Sequence, residues 1–390
     1  MLEKKMKVRK GITAKIIRLT KRKQELLSSE YENFQLALDG KDVNLYSGTK
    51  QQAQRLRTKL GRGYKPEKEY SMIIRNDLIK VEQKSTKIAD YWARIPVYGQ
   101  YGGVWVAIKP HCNILPEYSI RETKLKKHKG NFFLHITIQK EVEIPEPRFN
   151  DRLAVISCDL GERNPVTSVV YLDSKISSSE FYGSDMRSTR AHYNNLRKQI
   201  GVKKVKHALR VIKRVGNKES RTVKDKNHKI SREIVNKATS LREKGYEPVI
   251  VIGKLKGVRK PRRKYKTRCK RNNRKVNSMA SYQVTRFITY KANWEGIPIV
   301  LQEEAWTSQL CWKCGKIGKR HKRHFECSNC GLKEFHADLN GAINICNRFL
   351  GSLRNRAELT QPLTPTAGSV SGNRELLKFQ SSMGESPKFI

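Results

Sequence analysis

The segment at residues 153–161 is the part of the chain that decides the fold, and it reads Leu153-Ala154-Val155-Ile156-Ser157-Cys158-Asp159-Leu160-Gly161. Its apolar run lacks apolar–polar alternation, which predicts a short β-strand buried on both faces. Asp159 follows directly, so a carboxylate is expected where a buried strand opens onto a loop. By itself an Asp-x-Gly pattern is weak evidence, since chance gives roughly one in a chain of this composition.

Further short strands flank this one along the chain. The strand candidates are residues 165–172, 179–182, 248–252 and 297–301, with basic helical stretches between them. From residue 153 to 349 the predicted order is three strands, helix, strand, helix, strand and a final helix. This is the element order of a ribonuclease-H-like α/β fold, in which catalytic acids lie at strand ends, although element order alone is weak evidence.

The N-terminal third has a different pattern of apolar and polar residues. Residues 11–60 predict helices, because Ile12, Ile16 and Leu19 recur at roughly helical spacing and Gly40 is a plausible stop. Residues 91–144 predict strands, because aromatic and β-branched residues alternate there with polar ones. We therefore expect a helical lobe followed by a small antiparallel barrel or sheet.

The charge of the chain is strongly positive. Among 390 residues, 81 Lys and Arg stand against 36 Asp and Glu, a formal net charge of +45. A compact body with this charge repels itself unless a polyanion shares its field, so nucleic acid is the expected partner and an anionic membrane the second choice. No stretch approaches the roughly 18 apolar residues of a spanning helix, and the first 18 residues form no signal-peptide core. We expect no membrane partner and a cytoplasmic, nucleoid-associated protein, or a nuclear one in a eukaryotic host.

Much of this charge is local. Residues 187–275 carry 32 Lys and Arg against five acids, and residues 256–275 carry twelve basic residues and no acid. A solvated basic loop is the plain alternative, but such a run is costly unless phosphates neutralise it. The residues predicted to contact nucleic acid are Arg259, Lys260, Arg262, Arg263, Lys264, Lys266, Arg268, Lys270, Arg271, Arg274, Lys275, Arg320 and Arg323.

Four of the eight cysteines form two matching pairs. They are Cys311 and Cys314, then Cys327 and Cys330, each pair followed directly by a glycine. Four thiolates at this spacing can surround one Zn²⁺ tetrahedrally, which is a closed, structural arrangement whose metal supplies folding energy. A redox dithiol or two disulfides is the alternative, and the matching pairs in a reducing compartment favour zinc.

A second acid follows the cysteines. Asp338 lies near the start of the last predicted helix, where a helix-capping role is the plain explanation. With a nucleic acid partner, Asp159 and Asp338 also invite a two-metal hypothesis, because Mg²⁺ needs carboxylate oxygens and phosphodiester hydrolysis uses two ions.

These residues together resemble a known family. The string Thr307-Ser308-Gln309-Leu310-Cys311, the second cysteine pair with Gly331, and the string Ala337-Asp338-Leu339-Asn340 with Ala342, Asn344 and Ile345 resemble the C-terminal signature of TnpB. TnpB proteins are RNA-guided nucleases encoded by insertion sequences, related to Fanzors and type V CRISPR effectors. Asp159-Leu160-Gly161 resembles the first motif of their RuvC-like nuclease domain. The resemblance covers residues 153–349, and residues 1–150 match the family only in texture.

One departure concerns the middle catalytic acid. The family's strand typically ends in Glu-Asp-Leu, whereas this chain reads Gly253-Lys254-Leu255. Either the nuclease is inactive, as in repressor-type derivatives, or the acid has moved to the next strand, where Glu303 and Glu304 precede Thr307. Some family members resemble the second pattern, and we favour relocation to Glu304, with Glu303 on the opposite strand face.

The resemblance implies a multidomain α+β protein. We expect an N-terminal strand plus helical recognition lobe (1–90), a wedge-like β-barrel (91–150), a RuvC-like domain (151–350) with an inserted zinc ribbon (306–335), and a flexible tail (351–390) rich in small and polar residues. The oligomeric state stays open.

The implied function is RNA-guided, Mg²⁺-dependent cleavage of target double-stranded DNA, directed by a structured guide RNA. Asp159, Glu304 and Asp338 would hold two Mg²⁺ ions. A guide-directed DNA-binding repressor without cleavage is the alternative, and a DNA transposase acting without RNA is a third hypothesis.

Overall fold

The computed structural model describes residues 4–202, 207–254, 281–304 and 306–360, with side chains to residue 356. The chain divides into two units, one of Lys5–Val142 and one that contains the chain from Glu143 onward. The basic run at 256–275 and residues 361–390 lie outside the described residues. None of the helices in the described part is long and apolar enough to cross a membrane.

The first unit is built on one seven-stranded sheet. Its elements are β1 (Lys4–Ile17), α1 (Lys21–Leu38), α2 (Ser47–Leu60), β2 (Met72–Ile74), β3 (Lys80–Gln83), β4 (Tyr91–Ile95), β5 (Val104–Pro110), β6 (Ser119–His128) and β7 (Asn131–Ile144). The strand order is β2-β6-β7-β1-β5-β4-β3. Because α1 and α2 are inserted between β1 and β2, the predicted segments 1–90 and 91–150 share one unit.

The first strand corrects part of the predicted helical segment. Ile12, Ala14 and Ile16 are buried and alternate with exposed residues, so residues 11–17 belong to β1. A spacing of four residues is even, and it therefore puts Ile12 and Ile16 on one face of a strand as readily as on one face of a helix. The helices after residue 20 are confirmed, and Gly40, at φ +84°, follows the end of α1.

The predicted barrel is an open sheet in the described residues. Its hydrogen-bonded order begins at β2 and ends at β3, and no pairing joins these two edges among the residues that the structure describes. Buried Leu134, Ile136 and Ile138 alternate along β7, as predicted.

The second unit is built on a five-stranded mixed sheet. Its strands are β8 (Leu153–Asp159), β9 (Val166–Leu172), β10 (Lys175–Tyr182), β11 (Glu247–Lys254) and β12 (Ile299–Glu303), in the order β10-β9-β8-β11-β12. β9 is antiparallel to β8 and β10, whereas β8, β11 and β12 are parallel. The predicted element order is therefore observed, with the carboxyl ends of three parallel strands at one edge.

Helices cover both faces of this sheet. They are α3 (Met186–Val202), α4 (Ala208–Glu243), α5 (Ser281–Trp294) and α6 (Ala337–Thr360). Ala154, Ile156 and Cys158 of β8 belong to a core cluster with α4 and α5, whereas Leu153 and Val155 belong to a cluster with α6. Burial on both faces explains why β8 shows no alternation.

A small sheet precedes α6. It consists of β13 (Lys319–His321), β14 (His324–Cys327) and β15 (Leu332–His336), all antiparallel. Phe325 is fully buried beside Cys311, Cys327 and Ala337. This core is too small to stabilise the segment alone.

The last helix runs past the predicted start of the tail. α6 continues to Thr360, so the first ten residues of the segment predicted as flexible are helical. Leu353 is 5% exposed and extends the apolar stripe of Ile345, Phe349 and Leu350 against the sheet. Composition concealed this helical extension, because Leu353 is the one buried apolar residue among the described side chains of residues 351–356.

We predict that Leu353→Ala lowers the free energy of unfolding by about 2–5 kcal/mol, the usual cost of removing a buried leucine side chain. Asn355→Ala is the matched control, because Asn355 is exposed on the same helix. Urea unfolding of the two variants checks this, and equal stabilities would place residues 351–360 outside the folded core.

Candidate active site and cysteine cluster

Asp159 lies at the carboxyl end of β8, on the face of the sheet that α6 covers. It shares that face with Ser157, whose hydroxyl donates a 2.6 Å hydrogen bond to the Ala342 carbonyl of α6. This bond and the absence of a side chain at Gly341 allow a close approach of α6 to β8. A Cβ atom at Gly341 would lie 2.8 Å from Asp159 Oδ2, so the glycine leaves room for the carboxylate.

Glu304 reaches the same place from the neighbouring strand. Gly253 of β11 pairs with Gln302 of β12, and Glu304, two residues after Gln302, extends over Gly253. A Cβ atom on Gly253 would lie 1.7 Å from Glu304 Oε1. Gly253 stands where the resemblance predicts a glutamate, and the absence of a side chain there leaves the space that the Glu304 side chain fills.

The neighbouring charged residues point elsewhere. Lys254 is exposed and is opposite Glu303 in the strand register. Since side chains alternate along a strand, Lys254 is on the other face from Gly253, so its charge lies on the face of the sheet opposite the acids. Glu303 is likewise exposed, and its carbonyl accepts a 3.0 Å hydrogen bond from Arg348.

Asp338 comes from the first turn of α6 and meets an arginine. Arg320 of β13 donates to Asp338 Oδ1 at 2.8 Å. Arg320 was predicted to contact nucleic acid, and the structure places its guanidinium on this carboxylate. Arg323 is exposed, and its carbonyl accepts the Ala337 amide at 2.7 Å.

Two of the three acids have raised pKa values. Burial and the charge of Asp338 raise the pKa of Asp159 to about 7, while Arg320 opposes that rise. Burial and the charge of Asp159 raise the pKa of Glu304 to about 7. Glu304 Oε1 is buried and has no hydrogen-bond partner among the residues that the structure describes. Carboxylates in this state favour a bound cation, and hard oxygen ligands fit Mg²⁺.

Two asparagines of α6, which the sequence analysis gave no role, fix the chain after Glu304. Asn344 Nδ2 donates to the carbonyls of Thr307 at 2.8 Å and Leu310 at 2.7 Å. Asn340 Nδ2 donates to the Leu310 carbonyl at 2.8 Å, and its oxygen accepts the Trp312 amide at 3.0 Å. The spacing Asn340-x-Ala342-x-Asn344 could have indicated this shared role, since residues four apart lie on one face of a helix.

The four predicted cysteines come together. Sγ of Cys311 is 3.6 Å from Sγ of Cys330, and Sγ of Cys314 is 3.5 Å from Sγ of Cys327. All four sulfurs lie within 4.8 Å of one another. A tetrahedral site with Zn–S bonds of about 2.3 Å has sulfurs roughly 3.8 Å apart, so these four can hold one zinc ion. Gly315 and Gly331, at φ +70° and +69°, make the tight turns after each pair.

The remaining predicted nucleic-acid contacts cannot be placed. The eleven residues from Arg259 to Lys275 all lie outside the described residues, so their roles stay predictions.

Comparison with known proteins finds similarity over the same part of the chain. The family model described as Cas12f1-like, TNB domain, matches residues 282–345, which hold Glu304, the four cysteines and Asp338. The TnpB-like protein MJ0751 of Methanocaldococcus jannaschii is 24% identical over 207 residues, 51% of this chain and 71% of that protein. The CRISPR-associated endodeoxyribonuclease Cas12f2 of a Micrarchaeota archaeon is 25% identical over 248 residues, 60% of this chain and 43% of that protein.

Solved structures with some likeness include a Cas12f1–sgRNA–target DNA complex. Its TM-score is 0.45 at 15% identity, and the match covers 83% of this chain and 81% of that one. The AacC2c1–sgRNA–extended non-target DNA complex has a TM-score of 0.48 at 9% identity, with 73% and 55% covered.

Fold and site define the class of this protein: a mixed α/β chain with an acidic cluster at the edge of a parallel strand set and a four-cysteine cluster beside it. Within that class, residues 282–345 are similar to the Cas12f1-like TNB domain, and 51% and 60% of the chain align with the TnpB-like protein and with Cas12f2.

The raised pKa of Asp159 predicts a pH-dependent stability in chelator. A carboxyl group whose pKa is raised in the folded state makes the protein less stable as the pH rises from the group's ordinary pKa of 3.8 to about 7. We expect Asp159→Asn to be more stable than the wild type above pH 7, with the difference closing as the pH falls towards 4. Thermal unfolding across this range measures it. A constant difference between Asp159→Asn and the wild type at every pH would contradict the raised pKa.

The cysteine cluster predicts a zinc content of one per chain. Cys314→Ser should remove that zinc and lower the thermal midpoint, because the segment has little core of its own. Cys112→Ser is the matched control, since Cys112 lies outside the cluster. Metal analysis and thermal unfolding check both, and unchanged zinc in Cys314→Ser would contradict the assignment.

Proposed function

We propose that the chain is an RNA-guided, Mg²⁺-dependent DNA endonuclease of a transposable element, with Asp159, Glu304 and Asp338 as its catalytic acids. The observation that carries this proposal is the position of Glu304 over Gly253, where a Cβ would lie 1.7 Å from the carboxylate. A site that had simply lost its middle acid gives no reason for a glutamate from the next strand to fill the vacated space.

At this edge of the sheet, the three acids would bind the metal ions and an arginine would contact the substrate. Asp159 and Glu304 present buried carboxylate oxygens, and Asp338 adds a third from α6. Two Mg²⁺ ions held there would activate a water and stabilise the leaving oxygen of a phosphodiester. Arg320, 2.8 Å from Asp338, brings a positive charge that can meet the incoming phosphate.

The partners follow from charge and family. The net charge of +45 and the basic segment 187–275 support binding of a large polyanion, and we propose a structured guide RNA together with target double-stranded DNA. Base pairing with the guide would supply most of the sequence specificity. The four cysteines would hold a structural zinc in a ribbon beside the nuclease site, within a RuvC-like domain.

We predict that Asp159→Asn and Glu304→Gln each abolish DNA cutting by the guide complex in Mg²⁺ and leave DNA binding near the wild-type level. Glu303→Gln is the matched control and should cut normally. The assay uses labelled target DNA with the RNA that copurifies with the protein. Intact target at saturating binding by the wild type would instead identify a guide-directed binding protein.

A strand swap tests the relocation of the acid. Glu304→Gly combined with Gly253→Glu supplies a carboxylate from the adjacent strand, and it should recover part of the cutting that Glu304→Gly loses. Gly253→Glu alone should be poorly active, because its side chain competes with Glu304 for one space. Recovery by Lys254→Glu but not by Gly253→Glu would contradict the geometry.

A further inference from the structure

Three of the nine histidines of the chain lie on the small sheet that precedes α6. Each strand carries one of them: His321 is on β13, His324 on β14 and His336 on β15. In the strand register, His321 is directly opposite His324, and His324 is directly opposite His336. Directly opposite residues of an antiparallel sheet lie on the same face. The three imidazoles therefore form one row across the whole sheet, which we call the histidine row.

The histidine row lies on the face of the sheet away from the cysteine cluster. Phe325, next to His324 in β14, is fully buried beside the cysteines, and successive side chains of a strand point to opposite faces. His321 and His324 are accordingly exposed. His336 is half-buried and packs edge-on against Phe181, with ring centroids 4.5 Å apart.

The spacing of the strands suits one metal ion shared by the row. Neighbouring strands are about 4.8 Å apart, so an ion above β14 lies only about 5 Å to the side of β13 and of β15. An imidazole together with a metal–nitrogen bond of about 2.0–2.1 Å spans such an offset. Among the described residues, the four cysteines are the group whose ligand atoms are already gathered. The exposed rings of His321 and His324 would turn about their side-chain bonds to meet the ion.

The backbone fixes the positions of the three histidines. A two-residue turn, Lys322-Arg323, joins β13 to β14, and Lys322 is in the left-handed region at φ +52°. The carbonyl of Arg323 accepts the amide of Ala337 at 2.7 Å. Since Ala337 follows His336 directly, this bond ties the hairpin turn to the end of β15. The row is therefore held at both of its ends.

One ring nitrogen in the row lacks a hydrogen bond. Nδ1 of His336 is buried and has no partner among the residues that the structure describes. Buried polar atoms nearly always have a partner, and a metal ion bound to the ring would satisfy this one.

The charges around the row are balanced enough to admit a cation. Lys319 is on the same face of β13 as His321, and it is directly opposite Glu326 of β14. Arg320 is on the other face of β13 and donates to Asp338. Single exposed histidines are ordinary on a protein surface, and the alignment of three on adjacent strands is what distinguishes this face.

We propose that His321, His324 and His336 form a second metal site, for a divalent transition-metal ion such as Zn²⁺ or Ni²⁺. Imidazole nitrogens suit these ions, whereas Mg²⁺ at the acidic cluster requires hard oxygen ligands. The bound ion would clamp the β13–β14 hairpin to the start of α6, and so hold Arg320 beside Asp338. The site goes beyond the proposed nuclease function and does not depend on it.

Nickel binding tests the site without requiring cleavage. The full-length chain, without an affinity tag and with zinc in its cysteine cluster, is titrated with Ni²⁺, and metal analysis after gel filtration counts both metals. We expect one nickel per chain beside an unchanged zinc content. His321→Gln and His324→Gln should each bind nickel at least about tenfold more weakly, because loss of even an outer partner of a metal ligand costs about 10–100-fold in affinity.

Two variants serve as controls for these measurements. His128→Gln is the matched one, because His128 is likewise exposed beside a two-residue hairpin turn, between β6 and β7, and it should bind nickel as the wild type does. Asp159→Asn should also keep its nickel, which separates the histidine row from the acidic cluster. Equal nickel affinity in the wild type and His324→Gln, or nickel that replaces the zinc, would overturn the proposal.

Stability and DNA binding separate the remaining explanations. Nickel should raise the thermal midpoint of the wild type and not that of His324→Gln, because a ligand stabilises only the folded chain that binds it. Weaker DNA binding by His324→Gln with unchanged nickel binding would make the row a phosphate contact and overturn the metal site. Nickel binding by a chain that never cuts DNA would overturn the nuclease alone.

Discussion

The mutual repulsion of three carboxylates at one edge of the sheet is the constraint on which the site depends. Burial and the charge of Asp338 raise the pKa of Asp159, and burial and the charge of Asp159 raise the pKa of Glu304. Without a cation, the packing around the acids has to offset this repulsion. The packing comes from the two clusters that bury both faces of the five-stranded sheet, and Arg320 neutralises part of the charge.

Two glycines, which have no side chain, leave the space that the acids occupy. Gly253 leaves space for Glu304, and Gly341 leaves space for Asp159. The first is at the carboxyl end of β11 and the second in the first turns of α6, so a strand and a helix each yield room to an acid from another element. The close approach of backbones at these two glycines thus explains both the packing of α6 on β8 and the proximity of the acids.

The helix α6 joins the two candidate sites. Asp338 faces the acids, Asn340 and Asn344 bind the turn that follows Glu304, and Ala337 packs in the small core of the cysteine cluster. Metal binding by the cysteines would therefore stabilise the turn that follows Glu304 and the strand that carries Arg320. A chain segment with little core of its own can in this way hold an arginine beside Asp338.

The sequence by itself determined the buried strands and the spacing of the cysteine cluster, because these depend on local pattern: apolar runs and matched Cys-x-x-Cys pairs. The catalytic roles of the three acids stay predictions. The sequence pattern assigned residues 11–17 of β1 to a helix, since an even spacing fits both periods, and it ended α6 too early, since composition hides one buried leucine. Tertiary structure alone decided that Glu304 fills the space at Gly253, that Arg320 meets Asp338 and that two asparagines fix the turn. Each of these joins residues on different elements, and no local pattern encodes the distance between them.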